Sequence, residues 1–158
     1  MDQEEFARRT LDMEYSLYRI AKTILKEDND CADAVQEALL KGLAAIGCLK
    51  QTEYFKTWIT RILINTCRDM LKKRAKQACQ ALPETLPAPD TTEQQELYEA
   101  LQSIPEDMRL ALTLHYLEGL TVKEVSGVLN MPLGTVKRKL VQGKIKLSAL
   151  LGEELEAM

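Results

Sequence analysis

The sequence is poor in residues that interrupt helices and in histidine. Its 158 residues include seven glycines and five prolines, both below the usual share of a globular chain. One histidine and four cysteines are present, and no two cysteines stand as a C-x-x-C pair, so we expect no zinc site. We therefore expect the fold to depend on apolar packing.

Long apolar runs and catalytic motifs are also missing. No stretch approaches the roughly 20 apolar residues that a membrane-spanning helix needs, and the opening MDQEEFARRT is too polar for a secretory signal. We find no phosphate loop, metal-ligand set or nucleophile beside a base. These absences predict a cytoplasmic protein that is not inserted in a membrane, takes no cofactor and is not an enzyme.

Apolar residues recur at helical spacing through nearly every long segment, which predicts an all-α protein. Three apolar stripes can bury their faces only against each other, so we expect an N-terminal helical bundle. Phe55 and Trp58 are assigned to its core, whereas Tyr54 is the aromatic residue expected to face solvent. The stripes are Leu17, Tyr18, Ala21, Ile24 and Leu25; Val35, Ala38, Leu39, Leu43 and Ile46; and Phe55, Trp58, Ile59, Ile62, Leu63, Cys67 and Met70.

A segment without helical periodicity divides the chain. It holds Pro83, Pro87 and Pro89, a density of prolines typical of a linker. We predict an N-terminal domain over residues 1–76, a flexible linker over 77–92 and a C-terminal domain over 93–158.

Charge changes sharply near this linker. Residues 56–76 hold seven basic groups and one acidic group. Residues 77–107 hold seven acidic groups and no basic one. The end of the N-terminal domain is therefore a candidate surface for nucleic acid.

The C-terminal domain contains the pattern of a helix-turn-helix. Thr121, followed three residues later by a glutamate, forms a capping box that predicts a helix start. Asn130 tolerates left-handed backbone angles and Pro132 stops the first helix, so the turn is expected from Asn130 to Gly134. Thr135 is expected to cap the second helix. The predicted inward face of that helix comprises Val136, Leu140, Ile145 and Leu147.

The second helix of this pair is strongly basic. Between Lys137 and Lys146 there are five basic residues and no acidic one, although the whole chain has a formal net charge of −3 and a pI of about 5.3. Positive charge concentrated on such a helix favours duplex DNA as the ligand. Basic groups near Tyr54 on the N-terminal domain favour single-stranded nucleic acid, since unpaired bases stack on aromatic rings.

The order of these features resembles the extracytoplasmic-function group of sigma factors. The resemblance covers nearly the whole chain and rests on the N-terminal bundle, the segment YFKTWITRILINTCRDMLKKR, the acidic linker and the segment SIPEDMRLALTLHYLEGLTVKEVSGVLNMPLGTVKRKL. It implies a subunit that binds bacterial core RNA polymerase and promoter DNA. The first domain would read the minus-10 element and the second domain the minus-35 element, and an anti-sigma factor would hold the protein inactive, as in many relatives.

The resemblance also implies roles for individual residues. Contacts to core polymerase are expected from Asp33, Gln36 and Glu37. The minus-10 element, with a base flipped from its non-template strand, is expected to meet Lys50, Tyr54, Asn65, Arg68, Asp69, Lys72, Lys73 and Arg74. Base edges of the minus-35 element are expected to meet Lys137, Arg138, Val141 and Gln142, and its backbone Thr135, Lys139 and Lys144.

The residues alone leave one alternative, a stand-alone helix-turn-helix regulator that binds DNA without polymerase and forms symmetric dimers.

The chain also departs from the family pattern. Gln142-Gly143-Lys144 stands where many relatives carry Arg-Ala-Arg, and a mid-helix glycine costs about 0.5–1 kcal/mol relative to alanine. The loop Lys-Gln-Thr-Glu before Tyr54 leaves the flipped base unassigned.

Overall fold

The structure, a computed structural model, describes residues 1–77 and 99–151. Helices and short helical turns account for the regular structure of these residues, and no strand occurs among them. The predicted all-α class is confirmed. The N-terminal helices are α1 (Gln3–Asp12), α2 (Glu14–Ile24), α3 (Asp28–Ala44) and α4 (Phe55–Gln77), with 3-10 turns at Ile46–Cys48 and Thr52–Tyr54.

Helix α4 crosses α2 and α3 and buries its apolar face against them. Ile59 and Leu63 on this face are fully buried, and Phe55 packs edge-on against Phe6. A glycine on α3 permits the close approach, because a Cβ atom at Gly42 would lie 2.8 Å from Ile59 Cδ1. Phe55 is in the core, as predicted, while Trp58 is half-buried.

The C-terminal helices are α5 (Glu106–Leu112), α6 (Val122–Leu129) and α7 (Leu133–Leu151), and a π-helical turn, Thr113–Leu117, follows α5. Helix α7 lies across α5. At the crossing, a Cβ atom at Gly143 would lie 3.0 Å from Leu112 Cδ1, so the glycine that weakens the helix lets the two helices meet closely.

The start of α6 and the turn after it confirm two local predictions. Thr121 accepts a hydrogen bond from the Glu124 amide at 3.1 Å, and the Glu124 carboxylate accepts one from the Thr121 amide at 3.0 Å. These reciprocal bonds make the capping box. Asn130 ends the helix in the left-handed region, with a φ of 55°.

Two other predictions about the helix-turn-helix are wrong. Helix α7 begins at Leu133, not after Thr135, because the Pro132 carbonyl accepts from the Val136 amide at 3.1 Å and opens the helix three residues earlier. Ile145 is 65% exposed and not inward. At about 100° per residue, the inward position between Leu140 and Leu147 belongs to Gly143, which is buried.

The cysteines differ in their surroundings. Cys31 and Cys67 are buried in the N-terminal core, and Cys48 is exposed. Cys79 and most of the predicted linker, including its three prolines, lie outside the described residues. The domain boundaries stay predictions.

Among the helices of residues 1–77 and 99–151, none combines the length and hydropathy needed to cross a membrane.

Candidate nucleic-acid interface

Helix α7 exposes one continuous face away from the core. Arg138, Val141 and Ile145 follow each other at spacings of three and four residues, so they form a single stripe along the helix. Lys137 and Gln142 flank this stripe, and all five side chains are exposed. An arginine beside an aliphatic residue can bond to guanine and contact a thymine methyl group in the major groove.

The remaining predicted minus-35 residues lie at the edges of this face. Thr135 and Lys139 are on one edge, and the Lys139 ammonium is 3.9 Å from the Asp107 carboxylate. Lys144 is on the other edge, with its ammonium 5.7 Å from the centre of the Tyr116 ring. Edge cations suit the phosphates that border a groove, while the central stripe suits base edges.

Helix α4 carries the second predicted surface. Asn65, Arg68 and Lys72 recur at helical spacing on one face, and Asp69 and Lys73 lie beside them. Arg68 is half-buried because it contacts the C-terminal part, whereas the other four are exposed. The face is thus polar and basic along about two helical turns, as expected for a surface that follows a nucleic-acid backbone.

Arg74 differs from the other predicted minus-10 residues. Its guanidinium forms an ion pair with Asp30, whose side chain is almost fully buried on α3. The hydrogen bond to this carboxylate raises the pKa of Arg74 above its already high usual value. Arg74 therefore anchors the end of α4 to α3, a structural role that the sequence did not reveal.

The loop before α4 presents Lys50 and Tyr54. Lys50 is exposed, and the Tyr54 side chain is 56% exposed, consistent with its predicted position in solvent. Tyr54 lines a cavity of about 430 Å³ together with Trp58 and Arg61. The opposite wall of this cavity belongs to α6 and includes Val128. An aromatic ring at an open cavity is a surface on which a base can stack.

A third candidate surface lies on α3, far along the chain from the basic helix α7. The predicted polymerase contacts Asp33, Gln36 and Glu37 are all exposed and share one side of the helix. Leu40 continues this side one turn further and is 63% exposed. Glu37 also forms an i,i+4 ion pair with Lys41, at 3.5 Å.

Next to this surface, a groove of about 340 Å³ runs between the N-terminal helices and is lined by Leu11, Tyr18 and Gln36, among others. An apolar groove bordered by polar side chains is typical of a protein-docking site. Leu11 and Leu40 were not predicted as surface residues of this kind from the sequence. The available signal was their position outside the apolar stripes that fill the core.

Two sigma-70 families match the chain, one for each of its parts. Residues 14–77 match Sigma-70 region 2, and residues 94–147 match Sigma-70, region 4. The ECF RNA polymerase sigma factor SigM of Mycobacterium tuberculosis is 27% identical over 140 residues, which cover 86% of this chain and 71% of SigM. The ECF RNA polymerase sigma-E factor of Escherichia coli K12 is 28% identical over 135 residues, covering 73% of this chain and 70% of that protein.

The fold is shared with a solved sigma factor. The sigma factor RpoE from Bartonella quintana, solved in complex with the anti-sigma factor NepR, superposes with a TM-score of 0.85 at 20% identity and covers 98% of this chain and 99% of its own. With both sigma-70 regions present in order, and with relatives of the ECF group aligned along most of its length, the chain belongs to the extracytoplasmic-function group of the sigma-70 family.

Proposed function

We infer that this protein is a dissociable specificity subunit of bacterial RNA polymerase, which binds the core enzyme, recognises promoters and directs the start of transcription. The observation that carries this inference is the presence of two basic surfaces, on α4 and α7, within one chain that matches sigma-70 regions 2 and 4. A stand-alone regulator needs only the second surface. The chemistry of RNA synthesis then belongs to the polymerase, so the protein itself needs no catalytic site and no cofactor.

The proposed division of labour follows the two surfaces. The α7 face would read the minus-35 duplex, with Arg138 and Val141 at base edges. The α4 face and Tyr54 would hold the minus-10 strand, with the phosphates bound by Lys72 and Lys73. The exposed side of α3 would dock on core polymerase through Asp33, Gln36 and Glu37.

Two further parts of the proposal concern the cell. Core polymerase works in the bacterial cytoplasm, so we expect this protein there. The related RpoE forms a complex with an anti-sigma factor, and a partner of that class is proposed for this chain as well.

The proposal is tested by transcription of genomic DNA with bacterial core polymerase, with and without this protein, followed by mapping of every RNA start. New starts that share two spaced upstream elements are expected. The matched variants are Arg138→Ala and Arg8→Ala, which remove the same charge from exposed arginines on α7 and α1. Arg138→Ala should lose many of the new starts and Arg8→Ala should keep them. No new starts, with DNA bound by the protein alone, would instead support the stand-alone regulator.

A further inference from the structure

The far end of α4 lies beyond the packed core of the N-terminal part. The inner face of this helix is buried as far as Cys67, and from residue 68 to residue 76 no α4 side chain is buried. A helix end without buried contacts frays easily. The two lysines proposed to bind minus-10 phosphates, Lys72 and Lys73, lie on this end and are exposed. Their position therefore depends on other contacts.

An ion pair with the first turn of α3 supplies such a contact. Arg74 Nη2 donates a hydrogen bond to Asp30 Oδ1. The Asp30 side chain is 8% exposed, whereas the Arg74 side chain is 48% exposed. The second carboxylate oxygen of Asp30 is buried and has no hydrogen-bond partner among the described residues. A buried carboxylate that loses its cation is strongly unfavourable, so Asp30 favours the arrangement in which Arg74 lies against α3.

The charges around Arg74 disfavour a phosphate contact by this residue. The pKa of Arg74 is raised first by the hydrogen bond to Asp30, and also by the negative charges of Glu27 and Asp33. The same carboxylates would repel an approaching phosphate. The guanidinium therefore suits a contact within the protein better than a contact with the DNA backbone.

We propose that Arg74 is a positioning residue and not a phosphate ligand. Paired with Asp30, it fixes the end of α4 so that Lys72 and Lys73 can hold the minus-10 strand while the duplex opens. Asp30 is then required for promoter opening, although its side chain is buried on α3 and away from the DNA surface. This inference rests on the proposed function, because it assigns the two lysines to the minus-10 strand.

The test uses bacterial core polymerase loaded with the full chain and a promoter identified from the mapped RNA starts. One template is fully paired, and a second is mismatched and so unpaired over the minus-10 element. Permanganate reactivity of unpaired thymines reports opening of the paired template, and RNA yield reports activity on both. Asp30→Ala removes the acceptor but leaves Arg74 and its charge in place. It should lower opening of the paired template about threefold to tenfold.

The unpaired template separates positioning from a general loss of folded or polymerase-bound protein. Strand holding offsets the cost of unpairing bases, and a template that is already unpaired has no such cost. Asp30→Ala should therefore change activity on that template by less than about twofold. Lys73→Gln removes a proposed phosphate contact directly and should show the same preference for the unpaired template. Asp12→Ala, on an exposed residue of α1, removes one negative charge and should behave like the wild-type protein.

A double-mutant cycle completes the experiment. Arg74→Gln should match the loss caused by Asp30→Ala, and the double variant should be no worse than either single variant, because both remove the same contact. Circular dichroism checks folding, and Asp30→Asn, which keeps the size of the side chain, replaces Asp30→Ala if the latter does not fold.

Three results would overturn the inference. They are normal opening by Asp30→Ala while Arg74→Gln is defective, losses that multiply in the double variant, and equal losses on the paired and unpaired templates. Failure of the proposed function is distinguishable, since the wild-type protein would then direct no starts. If Lys73→Gln had no effect, α4 would not hold the strand and the inference would fall with that assignment.

Discussion

Arg138 and Lys139 are adjacent in sequence but occupy different parts of the α7 surface. Arg138 is exposed on the central stripe, whereas Lys139 is half-buried at the edge, near Asp107. Arg138→Ala should cost roughly 1–3 kcal/mol of binding at one promoter position, because it removes the contact to a base edge that is proposed for this side chain. Lys139→Ala should weaken binding to all sequences alike and lower the salt slope by about one. Binding titrations on single-base promoter variants, repeated at several salt concentrations, measure both effects. An equal loss on every sequence for Arg138→Ala would contradict its assignment to base reading.

The three described cysteines should differ widely in reactivity. Burial raises the pKa of Cys31 to about 11 and the pKa of Cys67 to about 12, whereas Cys48 is exposed. At pH 8, in a Cys79→Ser background, an alkylating reagent should modify Cys48 at least about a hundredfold faster than the buried pair. Mass spectrometry of digested samples measures the rates. Rapid modification of Cys31 or Cys67 in the folded protein would contradict the buried assignment.

The same pKa shifts give a sign for the pH dependence of stability. The two buried thiols stay protonated in the folded protein. Below about pH 8.5, the pKa of an unfolded thiol, they are also protonated in the unfolded chain, so they do not make the free energy of unfolding depend on pH. Above that pH the thiols of the unfolded chain lose their protons while those of the folded protein keep theirs. The free energy of unfolding should therefore fall as pH rises from about 9 toward the pKa of about 11 for Cys31.

At the scale of the element, the capping box should stabilise α6 more than any local contact of Thr135 stabilises α7. Thr121→Ala removes a side-chain acceptor from a helix start and should lower the free energy of unfolding by about 1 kcal/mol. Thr135→Ala lies inside the first turn of α7, where alanine is the better helix former, so it should be close to neutral. Chemical denaturation of both variants measures the difference. A larger cost for Thr135→Ala would mean that α7 begins where the sequence pattern predicted.

The same two positions show how far element boundaries follow from sequence. The start of α6 at Thr121 was predictable because both partners of its capping box lie within three residues. The start of α7 was not predictable, because it depends on a hydrogen bond to the backbone carbonyl of Pro132. Every residue has such a carbonyl, so the residue type gives no signal. Ile145 was predicted to face inward because it is apolar, but the buried position at the α5 crossing is occupied by Gly143, where a Cβ atom would lie 3.0 Å from Leu112 Cδ1.

At the scale of the whole molecule, the contacts between the two parts could not be predicted from the sequence. Residues 19 and 118 pair across 99 positions of the chain, and Arg61 and Lys56 bind backbone carbonyls. The charge pattern did show a basic N-terminal segment followed by an acidic one. It could not show that Arg68 pairs with both Glu106 and Asp107, or that Asp107 also lies 3.9 Å from Lys139.

A promoter read by two parts of one protein should be sensitive to the distance between its elements. One turn of DNA spans about 10–10.5 base pairs, so inserting about 5 base pairs between the elements moves the minus-35 site to the opposite side of the duplex. The α4 and α7 surfaces, held on one polymerase, then cannot engage both elements without twisting the DNA, which is costly. Transcription from the altered promoter should drop about tenfold or more. The same insertion upstream of the minus-35 element is the control and should leave the rate unchanged. If the internal insertion were also without effect, only one of the two surfaces would be reading the promoter.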